Sequence, residues 1–336
     1  MNVHENQVSR KIDITDKIAE YDENVKYLLS EKIILAHILV YAVKEYAGMK
    51  PEDVVELIEG TPQVAKLAVN PGESNMPEII GDNVEDVIPN EGKVTYDIRF
   101  RALAPKGGEL IQLILDVEAQ KDYYPGYDIL TRGIYYGARM ISAQKGSEFT
   151  HDDYDKIKKV YSIWICVNAP GYAENTITEY GIQKRSIAGF FPDDKGRYDL
   201  MSVIMICLSK KLAQADKETK LQRLLGTLLS SEMTKTEKKD IMENEYGIPM
   251  EHEIERRVNI MCNLGEAIAE REMERGIERG IERGIERGIE QGIERGEDKM
   301  ARLIAILSKE QDLTMITRVS TDVELRKKLY EKYGIE

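Results

Sequence analysis

The chain has 336 residues, of which 42% are hydrophobic and 32% are charged, and its formal net charge is −13. This size and composition predict one substantial globular core with an additional charged part, and the acidic balance argues against a protein that coats DNA non-specifically, because such binding needs Lys and Arg to neutralise phosphates. No apolar run reaches the roughly 18 residues of a membrane-spanning helix, and the polar start is unlike a signal peptide, so we expect a cytoplasmic protein that does not enter a membrane.

The cysteines and histidines indicate core residues rather than metal ligands. Cys166, Cys207 and Cys262 are far apart in the sequence, and each lies in or beside an apolar pattern, which predicts buried free thiols. The 4 histidines show no zinc-binding spacing. Since His37 lies among apolar residues, we expect a core histidine whose hydrogen bonds are satisfied.

The first quarter of the chain predicts mainly helices. Residues 1–14 are expected to form a loose arm. Apolar residues recur at helical spacing over 22–46, which predicts a single amphipathic helix there, with Glu31 inside it. Shorter elements are expected at 51–59 (a helix) and at 64–69 or 78–80 (an irregular strand).

Two strands, at 94–101 and 111–120, are predicted to form a hairpin, because the connector at 104–108 contains the Pro and Gly residues of a turn. Side chains alternate between the two faces of a strand. The second strand should therefore direct its apolar side chains into the core: Leu113, Leu115, Val117 and Ala119.

The opposite face of that second strand is polar. It carries Asp116, Glu118 and Gln120 side by side, and the hairpin would place Asp97 of the first strand next to Glu118. Two carboxylates at the end of a sheet are hard oxygen ligands, which suit Mg²⁺ because this ion keeps several of its waters. The hairpin thus predicts a metal site.

A helix at 127–145 and a strand at 160–167 would complete a β-β-α-β unit, and further strands are expected at 175–184 and 200–208. Helical spacing predicts that one stripe of the helix packs on the sheet, namely Leu130, Ile134, Gly137 and Ile141. A second face carries Arg132, Tyr136 and Arg139.

The rest of the chain predicts helices. Residues 211–263 include a helix at 221–229 and a second one between a capping box, Thr234 to Glu237, and Gly247. The segment 264–299 repeats Gly-Ile-Glu-Arg, and it fits either a helix that self-associates through its Ile/Gly stripe or a flexible charged linker. A small helical segment is expected over 300–336, with helices at 300–309 and 322–333.

Several of these features together resemble a known family. Asp97 followed by Glu118-Ala119-Gln120 is similar to the D…(D/E)xK signature of PD-(D/E)XK nucleases, with Gln in place of Lys. The segments 127–144 and 161–166 and the tail resemble the PD-(D/E)XK family transposases, also called recombination-promoting nucleases, over most of the chain. This resemblance implies an α/β restriction-endonuclease-like core, a mixed sheet flanked by helices, over 15–210, followed by an α-helical C-terminal region.

The resemblance also implies roles for residues of the hairpin. Asp97 and Glu118 would bind Mg²⁺ or Mn²⁺ together with the carbonyl of Ala119, and Gln120 would orient the attacking water, although it has no charge and cannot act as a base. Asp116 is an alternative or additional metal ligand. Glu31 could provide the carboxylate that the first helix of this fold often contributes, or could be an ordinary solvated residue.

A metal-dependent DNA endonuclease linked to transposition or recombination is therefore the leading functional hypothesis. Arg132, Tyr136 and Arg139 could contact DNA phosphates or could serve packing and surface roles. Residues 93–159 contain 11 Lys and Arg against 10 Asp and Glu, so this part permits nucleic-acid binding. The alternatives are an inactive nuclease fold that binds and assembles through the repeats at 264–299, and an RNA nuclease.

Overall fold

A computed structural model of the chain describes residues 2–64, 85–88, 92–106, 108–216 and 218–335. They fall into two compact units, Met1–Ile268 and Ala269–Glu336. None of the helices in these described ranges is both long enough and apolar enough to cross a bilayer. The irregular strand predicted at 64–69 or 78–80 lies outside the described residues, apart from position 64.

The N-terminal part consists of three helices, α1 (Asn2–Leu29), α2 (Lys32–Ala42) and α3 (Pro51–Val55). The prediction of a loose arm over 1–14 is wrong. Helix α1 contains no Gly or Pro that would end it, so it extends from the packed residues near Leu29 back to the N-terminus.

The prediction of a single helix over 22–46 is also wrong, because the chain breaks between α1 and α2. The Ser30 hydroxyl donates a hydrogen bond to the Tyr27 carbonyl at 2.7 Å, and Glu31 has an extended backbone, with φ −60° and ψ 127°. A serine that bonds nearby backbone competes with helix continuation. Glu31 therefore precedes α2 instead of lying within a helix.

The strands are β1 (Ile58–Val64), β2 (Glu85–Ile88), β3 (Gly92–Thr95), β4 (Ile98–Lys106), β5 (Glu109–Asp122), β6 (Val160–Asn168), β7 (Thr176–Gly181) and β8 (Met201–Cys207). A six-stranded sheet has the order β1-β4-β5-β6-β8-β7, and β2 pairs with β3 separately. Strands β5, β6 and β8 are parallel, whereas the other pairs are antiparallel. The predicted mixed sheet flanked by helices, with a helical C-terminal region, is confirmed.

The predicted hairpin is the antiparallel pair β4 and β5, and its turn includes Gly108 at φ +91°, a conformation that glycine adopts readily. Asp97, however, does not lie within a strand as predicted. Strand β3 belongs to the small sheet and β4 to the large one. The chain changes sheets at Tyr96 and Asp97, so Asp97 occupies the bend before β4.

Helix α4 (Ile129–Ser142) covers β6 and β8 and begins at Asp128, whose carboxylate accepts a hydrogen bond from the Thr131 N–H. A Cβ at Gly133 would come within 2.8 Å of the Trp164 ring nitrogen, so this glycine allows the close approach. The predicted packing stripe is only partly correct: Gly137 is buried, but Ile134 is 44% exposed. The stripe that faces the sheet is rotated towards Tyr136.

Apolar residues pack on both faces of the large sheet. One core contains Leu113, Leu115 and Val117 of β5 with residues of α1 and α2. The same core includes apolar residues of the later helices, among them Leu224 and Met261. The other core lies between the sheet and α4. The cysteines are free and buried, as predicted.

The later helices are α5 (Lys220–Leu229), α6 (Lys235–Tyr246), α7 (His252–Lys309), α8 (Leu313–Thr321) and α9 (Val323–Tyr333). The capping box of Thr234 and Glu237 and the left-handed Gly247 that ends α6 are both confirmed. The repeat segment is helical, as part of α7. Helix α8 was not predicted; it begins with a cap in which Asp312 accepts from the Met315 N–H.

His37 is buried in α2, as expected, but the expectation that its hydrogen bonds are satisfied is wrong. Neither ring nitrogen has a hydrogen-bond partner among the described residues. The ring packs against Tyr41 and Tyr246 instead. Burial first, and then the charge of Lys220, lower the pKa of His37 from 6.5 to about 4.

The lowered pKa of His37 predicts a pH dependence of stability. The unfolded state binds the proton between pH 6.5 and about 4 while the folded state does not. The contribution of His37 to the free energy of unfolding therefore has its full value above pH 6.5. It falls as the pH decreases towards 4, by up to about 3 kcal/mol. In His37→Phe this contribution should be absent. Urea unfolding at several pH values, followed by the fluorescence of Trp164, measures this pH dependence. If the free energy of unfolding depends on pH equally in the wild type and in His37→Phe, the assignment is wrong.

Candidate active site

Two carboxyl groups are buried on the α4 side of β5. Asp116 and Glu118 are 0% and 4% exposed, because alternation along the strand turns them away from Leu115 and Val117, which enter the opposite core. Strand β5 has a neighbour on each side, β4 and β6. The two carboxyl groups thus lie at the centre of the sheet rather than on a solvated face.

Asp97 joins this pair through two reciprocal hydrogen bonds. The Asp97 N–H donates to Glu118 Oε1 at 2.8 Å, and the Ala119 N–H donates to Asp97 Oδ2 at 3.2 Å. Both are possible because the β4–β5 ladder ends at the pair Ile98 and Val117. Since the N–H and C=O of one strand residue point to the same side, the carbonyl of Ala119 is also directed towards the Asp97 side.

Helix α1 contributes to the same cluster. Lys26 Nζ lies 2.5 Å from Asp97 Oδ1, with both side chains mostly buried. Asp22, one turn earlier, is close enough to interact electrostatically with Lys26 and Asp97. Glu31, by contrast, lies among the charges of Arg257 and Glu253 of α7, so the carboxylate that the first helix brings to the cluster is Asp22.

On β4 and β6, polar side chains contact Asp116. Arg99 is opposite Asp116 in the antiparallel register, and its charge favours the ionised carboxylate. The Ser162 hydroxyl donates to Asp116 Oδ2 at 3.4 Å and accepts from the Trp164 ring N–H at 2.9 Å. These contacts fix the position of one carboxylate oxygen of Asp116.

An arginine and aromatic rings form the α4 wall of the site. Arg132 donates to the hydroxyls of Tyr127 and Tyr136 at 2.6 and 2.5 Å, and its guanidinium lies 5.3 Å from the Trp164 ring. Tyr136 and Arg139 are 7% and 2% exposed. Of the predicted phosphate-contacting residues, only Arg132 therefore reaches solvent to an appreciable extent.

The carboxyl pair is held in an unfavourable electrostatic environment. Burial, followed by repulsion from Asp97, raises the pKa of Asp116 well above its ordinary value. Burial, followed by repulsion from Asp116 and then Asp97, also raises the pKa of Glu118. The partners described above offset these effects only partly, so Asp116 and Glu118 compete for ionisation.

The cluster has the donor chemistry of a magnesium site. Asp116 Oδ1 is buried and has no hydrogen-bond partner in the described part of the chain. Within that part, no group of three or more His, Cys, Asp or Glu side chains has the geometry to hold a metal ion. Mg²⁺ commonly binds through one or two carboxylates and retains waters, so Asp116 and Glu118 fit this ion, with the Ala119 carbonyl nearby.

Sequence reasoning identified the strand residues and missed the partners from other elements. Glu118 and the face shared with Gln120 follow from alternation, Asp97 was placed beside Glu118 by the predicted hairpin, and Asp116 was identified as an additional candidate. Lys26, Arg99 and Ser162 were missed. The side-by-side register of β5 and β6, Asp116 with Ser162, depends on a crossover through α4 that no local pattern encodes.

Comparisons with protein-family models, with curated proteins and with solved structures found no match to this chain.

Glu118→Gln tests the metal site through stability. The amide oxygen can still accept from the Asp97 N–H, while the repulsion from Asp116 is removed, so without metal the variant should be at least as stable as the wild type. At a Mg²⁺ concentration tenfold above the dissociation constant, the wild type should gain about 1.4 kcal/mol. The variant should gain much less. Urea unfolding with Mg²⁺ or EDTA, followed by Trp164 fluorescence, measures both.

The matched control is Glu109→Gln, an exposed residue of the same strand, which should respond to Mg²⁺ as the wild type does. Equal stabilisation of wild type and Glu118→Gln by Mg²⁺ would contradict the assignment.

Proposed function

We propose that the chain is a Mg²⁺- or Mn²⁺-dependent DNA endonuclease with a PD-(D/E)XK core, acting in transposition or recombination. The observation that carries the proposal is the buried pair Asp116 and Glu118 with Asp97 hydrogen-bonded beside it at the end of β4. Burying like charges without full compensation is costly, and such clusters are common at functional sites. The resemblance of the motif and of the following segments supports the nuclease class.

The chain's own residues can perform the parts of phosphodiester hydrolysis. A bound divalent ion would supply a Lewis acid for the phosphate and an acidified water. Asp116 and Glu118 would hold the ion, and the Ser162 hydroxyl and the Asp97 N–H orient these two carboxylates. Arg132 adds positive charge on the α4 side of Glu118, where it can contact the negatively charged phosphate.

Gln120 and Lys26 divide the role that a motif lysine has in the resembling family. Gln120 lies on the same face of β5 as Glu118, and its amide can orient a water but carries no charge. An ammonium group comes from Lys26 of α1, where it forms an ion pair with Asp97. The absence of a lysine at position 120 therefore does not leave the site without a nearby ammonium group.

Plasmid cleavage tests the proposal. Wild type should cleave supercoiled DNA with Mg²⁺ or Mn²⁺ and not with EDTA, and Glu118→Gln should lower the rate by about a hundredfold or more. Gln120→Ala should lose much of the rate because no amide remains to orient the water, whereas Gln120→Lys should keep or raise it. Glu109→Gln serves as the control and should cleave like wild type.

Wild type without cleavage above the EDTA level, but with salt-dependent DNA binding, would favour the inactive binding protein. Cleavage of RNA instead of DNA would favour the RNA nuclease. Full activity of Gln120→Ala would mean that this residue has no role.

The repeat part of α7 is proposed to mediate self-association. Ile277, Ile281, Ile285, Ile289 and Ile293 are 53–59% exposed. A four-residue period rotates them by only about 40° per repeat, so they form a slowly turning apolar stripe. A second copy of the stripe would cover it. The repeat glycines have open space at their Cβ positions within the chain.

Substitutions in α7 separate association from helix formation. Ile281→Ser with Ile289→Ser should lower the molecular mass measured by light scattering, because apolar burial between chains is lost. Gly284→Ala should stabilise the helix by up to about 1 kcal/mol, visible as increased helicity in circular dichroism. A monomeric wild type would show that the exposed stripe does not drive association.

A further inference from the structure

A cleft of about 390 Å³ lined by tyrosines lies beside the beginning of α4. Tyr124, Tyr172 and Tyr180 are 66%, 75% and 42% exposed, so their rings are available to a ligand. Tyr123 packs edge-to-face on Tyr124 with the ring centres 4.8 Å apart, and the hydroxyls of Tyr124 and Tyr172 hydrogen-bond to each other. The aromatic wall is therefore held together without being covered.

The floor and rim of the cleft suit a flat molecule with polar edges. Met205 and Cys207 of β8 form an apolar floor. The hydroxyl-bearing Thr176 and Thr178 of β7 and the carboxylate of Asp128 lie along its sides. Aromatic walls, a flat apolar floor and a few hydrogen-bonding groups are the features that bind a nucleobase by stacking and edge contacts.

The cleft and the carboxylate site lie on the same face of the sheet, and their residues are in register across neighbouring strands. Glu118 is in register with Trp164, which is in register with Met205 of the cleft floor. Two strand spacings separate Glu118 from Met205, roughly 10 Å at about 4.8 Å per strand. The beginning of α4 lies between them, with Arg132 towards Glu118 and Ile129 lining the cleft.

Two lysine side chains lie next to the cleft, at the carboxyl ends of β6 and β8. An adjoining cavity of about 440 Å³ is lined by Tyr123, Tyr124 and Lys210, and a further one of about 450 Å³ by Lys210 and Lys211. Neither lysine forms an ion pair with a carboxylate in the described part of the chain. Glu174 lines the same further cavity, but it forms no ion pair with either lysine in the described structure, so the two ammonium groups beside the aromatic cleft can contact the phosphates of a nucleic-acid strand.

We infer that the tyrosine cleft binds an unpaired base of a nucleic-acid strand whose phosphates contact Lys210 and Lys211. A base in an intact duplex is stacked on both sides and cannot enter the cleft. The preferred substrate therefore carries a single-stranded, frayed or extruded nucleotide near the phosphate that is cleaved. This inference rests on the proposed nuclease function and specifies the form of its substrate.

Binding measurements in EDTA test the cleft without cleavage. Fluorescence anisotropy with a short labelled oligodeoxynucleotide should give tighter binding for the single strand than for the blunt duplex. Tyr124→Ala with Tyr172→Ala should weaken single-strand binding roughly tenfold or more, whereas the Phe versions at both positions should retain most of it because stacking needs only the ring. Trp164 fluorescence checks that each variant is folded.

The matched control is Tyr154→Ala, which removes an exposed tyrosine that packs on Phe149 outside the cleft and should bind like wild type. A 2-aminopurine base in the oligonucleotide should be quenched on binding to wild type and not on binding to the double Ala variant. Equal single-strand affinity of wild type and the double Ala variant overturns the inference. So does binding of free dAMP as tight as that of the oligonucleotide, since the cleft would then be a mononucleotide site.

These outcomes are separate from the failure of the proposed function. If the protein cleaves duplex plasmid but shows no tyrosine-dependent binding of single strands, the nuclease proposal stands and the inference about the cleft is wrong. If the protein binds single strands through the tyrosines but does not cleave DNA, the inference about the cleft stands and the nuclease proposal is wrong.

Discussion

The burial of two carboxyl groups on the central strand is the constraint on which the rest of the site depends. Asp116 and Glu118 are 0% and 4% exposed, and removing two like charges from water costs several kcal/mol unless partners compensate. Arg99, Ser162 and the Asp97 N–H provide part of this compensation. Asp116 Oδ1 remains without a hydrogen bond in the described structure. A proton shared between the two adjacent carboxyl groups would satisfy them in one way, and a cation bound by both would satisfy them in another.

The early end of β4 determines which groups lie beside the buried pair. Beyond the pair Ile98 and Val117, no strand in the described part of the chain pairs with β5 on its β4 side, and the bend at Asp97 takes that place. The Ala119 N–H and carbonyl are thus directed towards the side of Asp97 instead of forming hydrogen bonds with a neighbouring strand. Had β3 and β4 formed one continuous strand, the ladder would have occupied the backbone of Ala119. The change of sheet before Ile98 therefore shapes the site.

Local sequence patterns correctly predicted the features that depend on local periodicity. They did not predict the features that depend on contacts between distant segments of the chain. Alternation along β5 gave the polar face with Glu118, and the capping box of Thr234 depends on four consecutive residues, so both were predictable. The break before Glu31 arises from a hydrogen bond of the Ser30 side chain that competes with an otherwise helical pattern. The contact of Lys26 with Asp97 joins residues 71 positions apart, and no spacing in the sequence indicates that α1 packs at the end of β4.

The charge balance of the cluster bears on the proposed nuclease chemistry, because position 120 carries Gln and not Lys. Lys26 neutralises Asp97 through a direct contact, which leaves the two charges of Asp116 and Glu118 to be matched by one divalent ion. Arg99 favours the ionised form of Asp116 and is itself buried, whereas Arg132 is partly exposed and adds positive charge beside Glu118. Under the proposed function a phosphodiester would therefore contact Arg132, while Lys26, which lies on a helix rather than on β5, pairs with Asp97 and would leave Asp116 and Glu118 for the metal.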